Sequence, residues 1–251
     1  MTIATDNYVG RVVETGSDIE MGRWSYQRLL GKNGRNIIVV SVYQVCNQNA
    51  NRVGARTVFA QQLSLLRRNG KDCSPRKSFY DDIDKQIQEW IAKDYEIILS
   101  GDLNEELGAD ISGFARISAK HNLVEVIQHF HGTTNEPPTY ARGTKRLDYV
   151  FVTPGLLSSI QRCGILPYSE LIDSDHRALY VDFDTVTLMG GDLAILSATP
   201  VRILRARDVR GREKYVEAVA KYMEDHRVLQ RLMEISTTEG PDEAKIEAID
   251  R

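Results

Sequence analysis

Cysteine is scarce in this chain and poorly spaced for chemistry. Cys46, Cys73 and Cys163 are its only three, they lie far apart, and no CxxC pair occurs. Neither a cysteine zinc site nor a disulfide framework is expected, and a reducing compartment fits best. Long apolar runs are missing as well. No stretch reaches the roughly 18 residues of a membrane-spanning helix, and no signal peptide is read at the start. Charge of one sign is also missing: 32 Lys and Arg stand against 35 Asp and Glu, a formal net charge of −3. No global basic field therefore advertises nucleic acid. A locally basic phosphate cleft remains compatible with that balance, because carboxylates of a metal site lower the total. No internal repeat is visible. What the chain does carry is ordinary globular content, 42% apolar and 27% charged over 251 residues, enough for one large domain or one domain plus an extension.

The most informative stretch is Glu96-Ile97-Ile98-Leu99-Ser100-Gly101-Asp102-Leu103-Asn104. A short apolar run that halts at glycine reads as a buried strand, expected over residues 95–100. Asp102 and Asn104 then fall at its C-terminal end, where open α/β folds place ligands. Their oxygens suit Mg²⁺ or the positioning of a phosphate, although Asp and Asn are also common turn formers.

The rest of the chain falls around this strand. Residues 1–20 are polar and weakly patterned and read as a frayed start. Arg23 to Leu30 and Asn36 to Tyr43 read as a hairpin across the Gly31–Arg35 turn, the second strand buried on both faces. Helices are expected over 55–69, stopped by Gly70, and over 78–93, where Phe79, Ile83, Ile87, Trp90 and Ile91 share a face. A helix over 112–121 and a short apolar segment over 122–130 follow, then a long loop at 131–146. Arg146 to Val152 and Ala178 to Phe183 read as strands, joined by a connector through Cys163, Pro167 and Tyr168. Beyond residue 187 come an arginine-rich run at 202–214, read as a solvated helix face with nucleic-acid contact as the alternative, and a helix over 213–235. The acidic end, 236–251, is expected to be disordered.

Three strand-flanking segments share one chemistry: Asp102 with Asn104, then Asp148, then Asp175 with His176. Phosphodiester hydrolysis needs this set of types, with carboxylates for a metal or a water and a histidine for the phosphate oxygens. The other histidines read differently. His129 and His131 alternate as metal ligands would, yet lack partner spacing and read as a loop pair; His121 and His226 read as helix-surface residues.

Gly101-Asp102-Leu103-Asn104, Arg146-Leu147-Asp148-Tyr149 and Ser174-Asp175-His176, in that order, resemble the motifs of the endonuclease/exonuclease/phosphatase superfamily over roughly residues 22–184. That superfamily spans deoxyribonuclease-like and apurinic endonucleases, inositol-phosphate phosphatases and the endonuclease domains of non-LTR retrotransposons. The last are nearest in character. The hairpin and the short spacing from Asn104 to Asp148 leave little room for substrate-specific insertions, and an arginine-rich connector follows. The resemblance implies a fold of the α/β (α+β) class. It would be a four-layer αββα sandwich of two mixed β-sheets flanked by helices, incomplete at the N-terminus, with a C-terminal helical extension. The domain would span 1–186, and 187–251 would be connector and acidic tail.

The resemblance also implies roles. Asp102 would be general base for water or proton donor to the leaving group. Asn104 would bind the scissile phosphate and help position Asp102. Asp148 would set the tautomer of His176, which would contact the phosphate. Asp175 would be a metal ligand, directly or through water. Tyr43 would offer its hydroxyl to the phosphate, although Tyr43-Gln44-Val45 stands where the family frequently has Tyr-x-Pro. Mg²⁺, or Mn²⁺, would be the cofactor and DNA the partner, with no membrane; the location would be intracellular, the nucleus for a retrotransposon endonuclease. The family's opening Asn-x-Asn strand and metal-binding glutamate strand have no counterpart, and neither Glu14 nor Glu20 follows an apolar strand. An alternative to the DNA-nicking hydrolase is a non-catalytic remnant that at most binds nucleic acid. Another is a phosphatase of a phosphoinositide or other small phosphate ester.

Overall fold

Strand formers decide the centre of the fold. In a computed structural model of the chain, residues 2–48, 54, 56–108, 112–134, 136–170, 173–191 and 209–230 are described. The chain divides into two compact units, Met1–Ala198 and Thr199–Arg251. In the first, β2 (Trp24–Leu30) and β3 (Asn36–Tyr43) form the expected antiparallel hairpin. Its turn places Asn33 at φ 56° and Gly34 at φ 78°, the left-handed conformations these residues tolerate best. β4 (Glu96–Asp102) lies parallel to β3, so the chain must cross over between them. α1 (Val58–Arg68) and α2 (Pro75–Ala92) make that crossover. α2 begins earlier than its apolar face suggests, because Ser74 caps it by accepting from Lys77 N at 3.1 Å and Pro75 suits a first turn.

β6 (Asp148–Val152) pairs antiparallel with β4, and the two-residue β5 (Val124–Glu125) pairs with β6 at the sheet edge. The other edge corrects the frayed start: β1 (Val12–Ser17) pairs antiparallel with β2. An edge strand needs backbone partners on one side only, and this one buries no continuous apolar stripe, so periodicity does not reveal it. The sheet order is β1-β2-β3-β4-β6-β5.

The sheet's two faces follow from the twofold alternation of strands. Ile38, Val40 and Val42 of β3, with Ile97 and Leu99 of β4 and Phe151 of β6, pack on one face. There they meet Phe79, Ile83, Ile87 and Trp90 of α2 and Phe114 and Ile117 of α3 (Gly113–Lys120). Ile37, Val150 and Val152 pack on the other, against Val126 and Ile127 of α4 (Val126–His131) and against Leu156 and Cys163.

A second sheet covers this other face. It is narrower than the mixed sheet of a sandwich: a single antiparallel pair, β7 (Ile160–Ile165) and β8 (Leu179–Phe183). β7 lies inside the expected connector, where Gly164 and two exposed polar residues mask its alternation. After β8 comes α5 (Thr185–Leu188), and Leu188 and Met189 are buried in this core, beyond the expected domain edge at 186. His129 and His131 stand in the last turn of α4 rather than in a loop, and His131 Nε2 lies 3.0 Å from Cys163 O. His121 caps the end of α3 with its ring tucked in against Asp84 at 2.5 Å, so it is not a surface residue.

In the second unit α6 (Val209–Asp225) carries Arg210, Arg212 and Lys214, all exposed. It ends at Asp225 with Arg227 at φ 49°, and residues 228–230 are helical again. Arg202, Arg205 and Arg207, residues 231–235 and the acidic end at 236–251 lie outside the described residues. Among the described residues no helix is long and apolar enough to cross a membrane.

Candidate active site

Three strands of the central sheet end level with one another. Tyr43 is the register partner of Asp102 in the parallel β3–β4 pair, and Asp102 is the partner of Asp148 in the antiparallel β4–β6 pair. Partners in register share a face. By the alternation above, that face is the one carrying Val39, Ile98 and Val150, under the two-stranded sheet. Gly101 permits this closeness: a Cβ there would lie 1.9 Å from Val42 O, and its φ of 154° disfavours any side chain. The glycine of the Gly-Asp-x-Asn stretch is therefore required by packing between β3 and β4.

Past Asp102 the chain turns sharply. Asn104 adopts φ 47°, a left-handed conformation Asn accepts better than most residues. Its backbone N donates to Asp102 Oδ1 at 2.8 Å, and its Nδ2 donates to Asp102 Oδ2 at 2.9 Å and to Gln44 O at 2.7 Å. Cys46 Sγ donates to Asn104 Oδ1 at 3.0 Å and fixes which way the amide faces. Both amide hydrogens of Asn104 are thus spent. In this arrangement they point to Asp102 and Gln44. Burial pushes the Asp102 carboxyl up to about 6; the Asn104 backbone hydrogen bond opposes this, and the Asp148 charge adds to it.

The second half of the site comes from distant sequence. His176 Nδ1 lies 3.0 Å from Asp148 Oδ2. A carboxylate can only accept, so the proton sits on Nδ1 and Nε2 is left for other chemistry. Burial lowers the His176 pKa, but the hydrogen bond and charge of Asp148, joined by Asp102 and Asp175, outweigh it and carry it above the ordinary value. The loop before β6 holds this arrangement. Tyr140 bridges to His176, Arg177 N donates to Thr139 O and Ala141 N to Asp175 O, each at 2.8 Å. The buried Thr139 hydroxyl accepts from Leu147 N at 2.9 Å and from Asp148 N at 3.2 Å. Thr139 thus ties the Asp148 strand to the His176 segment, which no motif signalled. Arg146, ahead of Asp148, is buried in an ion pair with Glu125 at 2.5 Å.

The remaining expected residues are placed less closely. Tyr43 is 38% exposed at its strand end, with its phenol pKa raised by burial and by the charges of Cys46 and Asp102. Asp175 is exposed, and its backbone carbonyl accepts from Ala141 N. Both Asp102 oxygens accept from Asn104 and one Asp148 oxygen faces His176. Among the described residues no group of three or more His, Cys, Asp or Glu is arranged to hold a metal ion. The expected metal set therefore does not fit the side chains present. Glu14 is occupied elsewhere: it accepts from Tyr26 OH and Arg28 Nε, each at 2.8 Å.

Fold and site together define a mixed-sheet α/β domain with a tyrosine, two register-paired aspartates and an aspartate-bound histidine at one sheet end. No protein-family model matches the chain. No curated protein matches it either. Solved structures do. The chain is similar to an AP endonuclease from Leishmania major, with 16% identity and a TM-score of 0.45 over 64% of this chain and 54% of that one. It is similar to a 3′ phosphatase from Neisseria bound to a product DNA hairpin, with 12% identity and a TM-score of 0.45 over 69% and 71%. It is also similar to the catalytic domain of human Nocturnin, with 17% identity and a TM-score of 0.42 over 69% and 59%. The chain spans about half the length of the first of these.

Proposed function

We propose that the chain is a phosphodiester hydrolase that nicks DNA, of the retrotransposon endonuclease type. The observation that carries this reading is the register alignment of Tyr43, Asp102 and Asp148, completed by the 3.0 Å contact of Asp148 with His176. Asp102, with its carboxyl near 6, is ionised above that pH and takes a proton from an attacking water. His176, biased toward its protonated form, donates from Nε2 to a phosphate oxygen while Asp148 holds the ring. Asn104 keeps Asp102 in place, and Tyr43 offers its hydroxyl to the phosphate. The motifs imply Mg²⁺ or Mn²⁺ with Asp175 as ligand, but the described side chains form no metal set, so none of these steps passes through a metal.

A plasmid-nicking assay tests the reading with Mg²⁺, Mn²⁺ and EDTA arms and an Asp102→Ala control. Nicking that disappears in the control supports it. Cleavage confined to a phosphomonoester or phosphoinositide transfers the site to a phosphatase. No hydrolysis at any metal concentration makes the chain a non-catalytic remnant.

A further inference from the structure

Arg76 occupies the first turn of α2, and its guanidinium reaches the sheet end from the helical side. Nη1 donates to Val45 O at 2.9 Å and to Asn104 O at 3.2 Å. Nη2 donates to Tyr80 OH at 3.0 Å and to Glu105 Oε2 at 3.1 Å. Tyr80 OH in turn donates to Glu105 Oε2 at 2.6 Å, and Glu105 Oε1 accepts from Phe114 N at 2.8 Å, which ties the cluster to the start of α3. The two charges are 13% and 16% exposed, so the pair lies largely out of water. One planar side chain thus joins the segment after Tyr43 to the segment after Asp102.

We propose that Arg76 is a positioning residue for Asp102. It pins the carbonyl of Asn104, holds that residue in its left-handed conformation, and so keeps the Asn104 amide on Asp102 and Gln44. The bonds run to four acceptors in two directions, which a guanidinium fork supplies and an ammonium does not. Removing it also strands the Glu105 carboxylate in a dry site.

The catalytic part of this inference rests on the hydrolase reading, so the test has two independent readouts on the full chain. In Arg76→Ala, kcat for plasmid nicking falls by about 100-fold with KM nearly unchanged, as a misplaced reacting group predicts. Amide hydrogen exchange at Asn104 and at Gln44 speeds up by more than roughly tenfold, while Ile38 and Leu99 stay protected. Arg76→Lys does not restore either. Should Arg76→Ala not fold, Tyr80→Phe removes a single hydroxyl of the cluster and gives the same changes in smaller measure. Faster exchange in a chain that cleaves nothing supports the clamp and overturns the hydrolase reading instead. Unchanged exchange at Asn104, with or without activity, overturns the clamp. So does a kcat equal to that of an active wild type.

Discussion

The two faces of the central sheet are built to different standards. On the helical face Ile38, Val40, Ile83, Ile87, Ile97 and Leu99 have no exposed surface, sealed under α2 and α3. On the other face Ile37, Val152 and Leu156 are also fully buried, but Val39 and Ile98 of the central sheet, and Leu179, Val181 and Phe183 of the covering strand pair, stay only partly buried. The candidate site lies on that second face, at the end where β3 and β4 stop and β6 begins. The difference assigns work. Burial on the helical face supplies rigidity, roughly proportional to apolar area removed from water. The thinner cover on the other side leaves His176 and Tyr43 partly exposed at that end of the sheet.

The largest way to break this comparison is on the open face. Asp102→Asn keeps shape and removes the base, so nicking falls by about 1,000-fold, or about 4 kcal/mol of transition-state stabilisation, read as kcat. If the open face is instead a second stability core, this variant loses stability and not turnover. Next comes the sealed face. Leu99→Ala costs about 3 kcal/mol in urea or thermal unfolding, because a full-sized cavity opens in a tight core. Val181→Ala, under the thin cover, costs about 1 kcal/mol by the same measurement. Equal losses would erase the distinction between the faces. His176→Gln lowers kcat by about 100-fold, and Asp148→Asn by less, since the ring remains present but loses its fixed tautomer.

The smallest effects are those of pH. Asp102 is raised when folded, so the folded state binds its proton more tightly than the unfolded chain. Its carboxyl disfavours the fold progressively as pH rises from the ordinary aspartate value to about 6. His176 is also raised, so its stabilising share is complete below the ordinary histidine value and is lost as pH climbs through the folded one. Urea midpoints should therefore show wild type losing ground to Asp102→Asn on raising the pH across that first window. In activity, the same carboxyl gives a rising limb near about 6, and His176 a falling limb on the alkaline side.

Much of this was legible in the chain. The hairpin, α2, β4, β6 and β8 declare themselves through periodicity, because each buries one or both faces and must repeat at the period of its element. β1 and β7 were not legible. One is a polar edge strand, and the other carries exposed Gln161 and Arg162 and a glycine. The site's residue types were readable from three short motifs, but its supports were not. The Thr139 hydroxyl bonds to backbone N–H groups eight and nine residues on, and the Arg76 guanidinium to carbonyls 31 and 28 residues away, and neither sits in a pattern that local spacing can mark. His121 looks like a surface residue at a helix end until Asp84, 37 positions away, arrives beside it.

The amino-acid sequence by itself determined most of the buried strands and the main amphipathic helix, because propensity and periodicity are local. It also determined that a carboxylate, a carboxamide and a histidine stand beside strand ends. Only the tertiary structure decided that they form one site. Strand register put Tyr43, Asp102 and Asp148 side by side on the same face, since a slip of one residue would have turned any of them to the helical side. The fold brought His176 to Asp148 across 28 residues. It also directed the Asn104 amide to Asp102 and Gln44, in keeping with the positioning half of its expected role. Each of these outcomes depends on pairings between distant strands, a property of the whole sheet that no single segment contains.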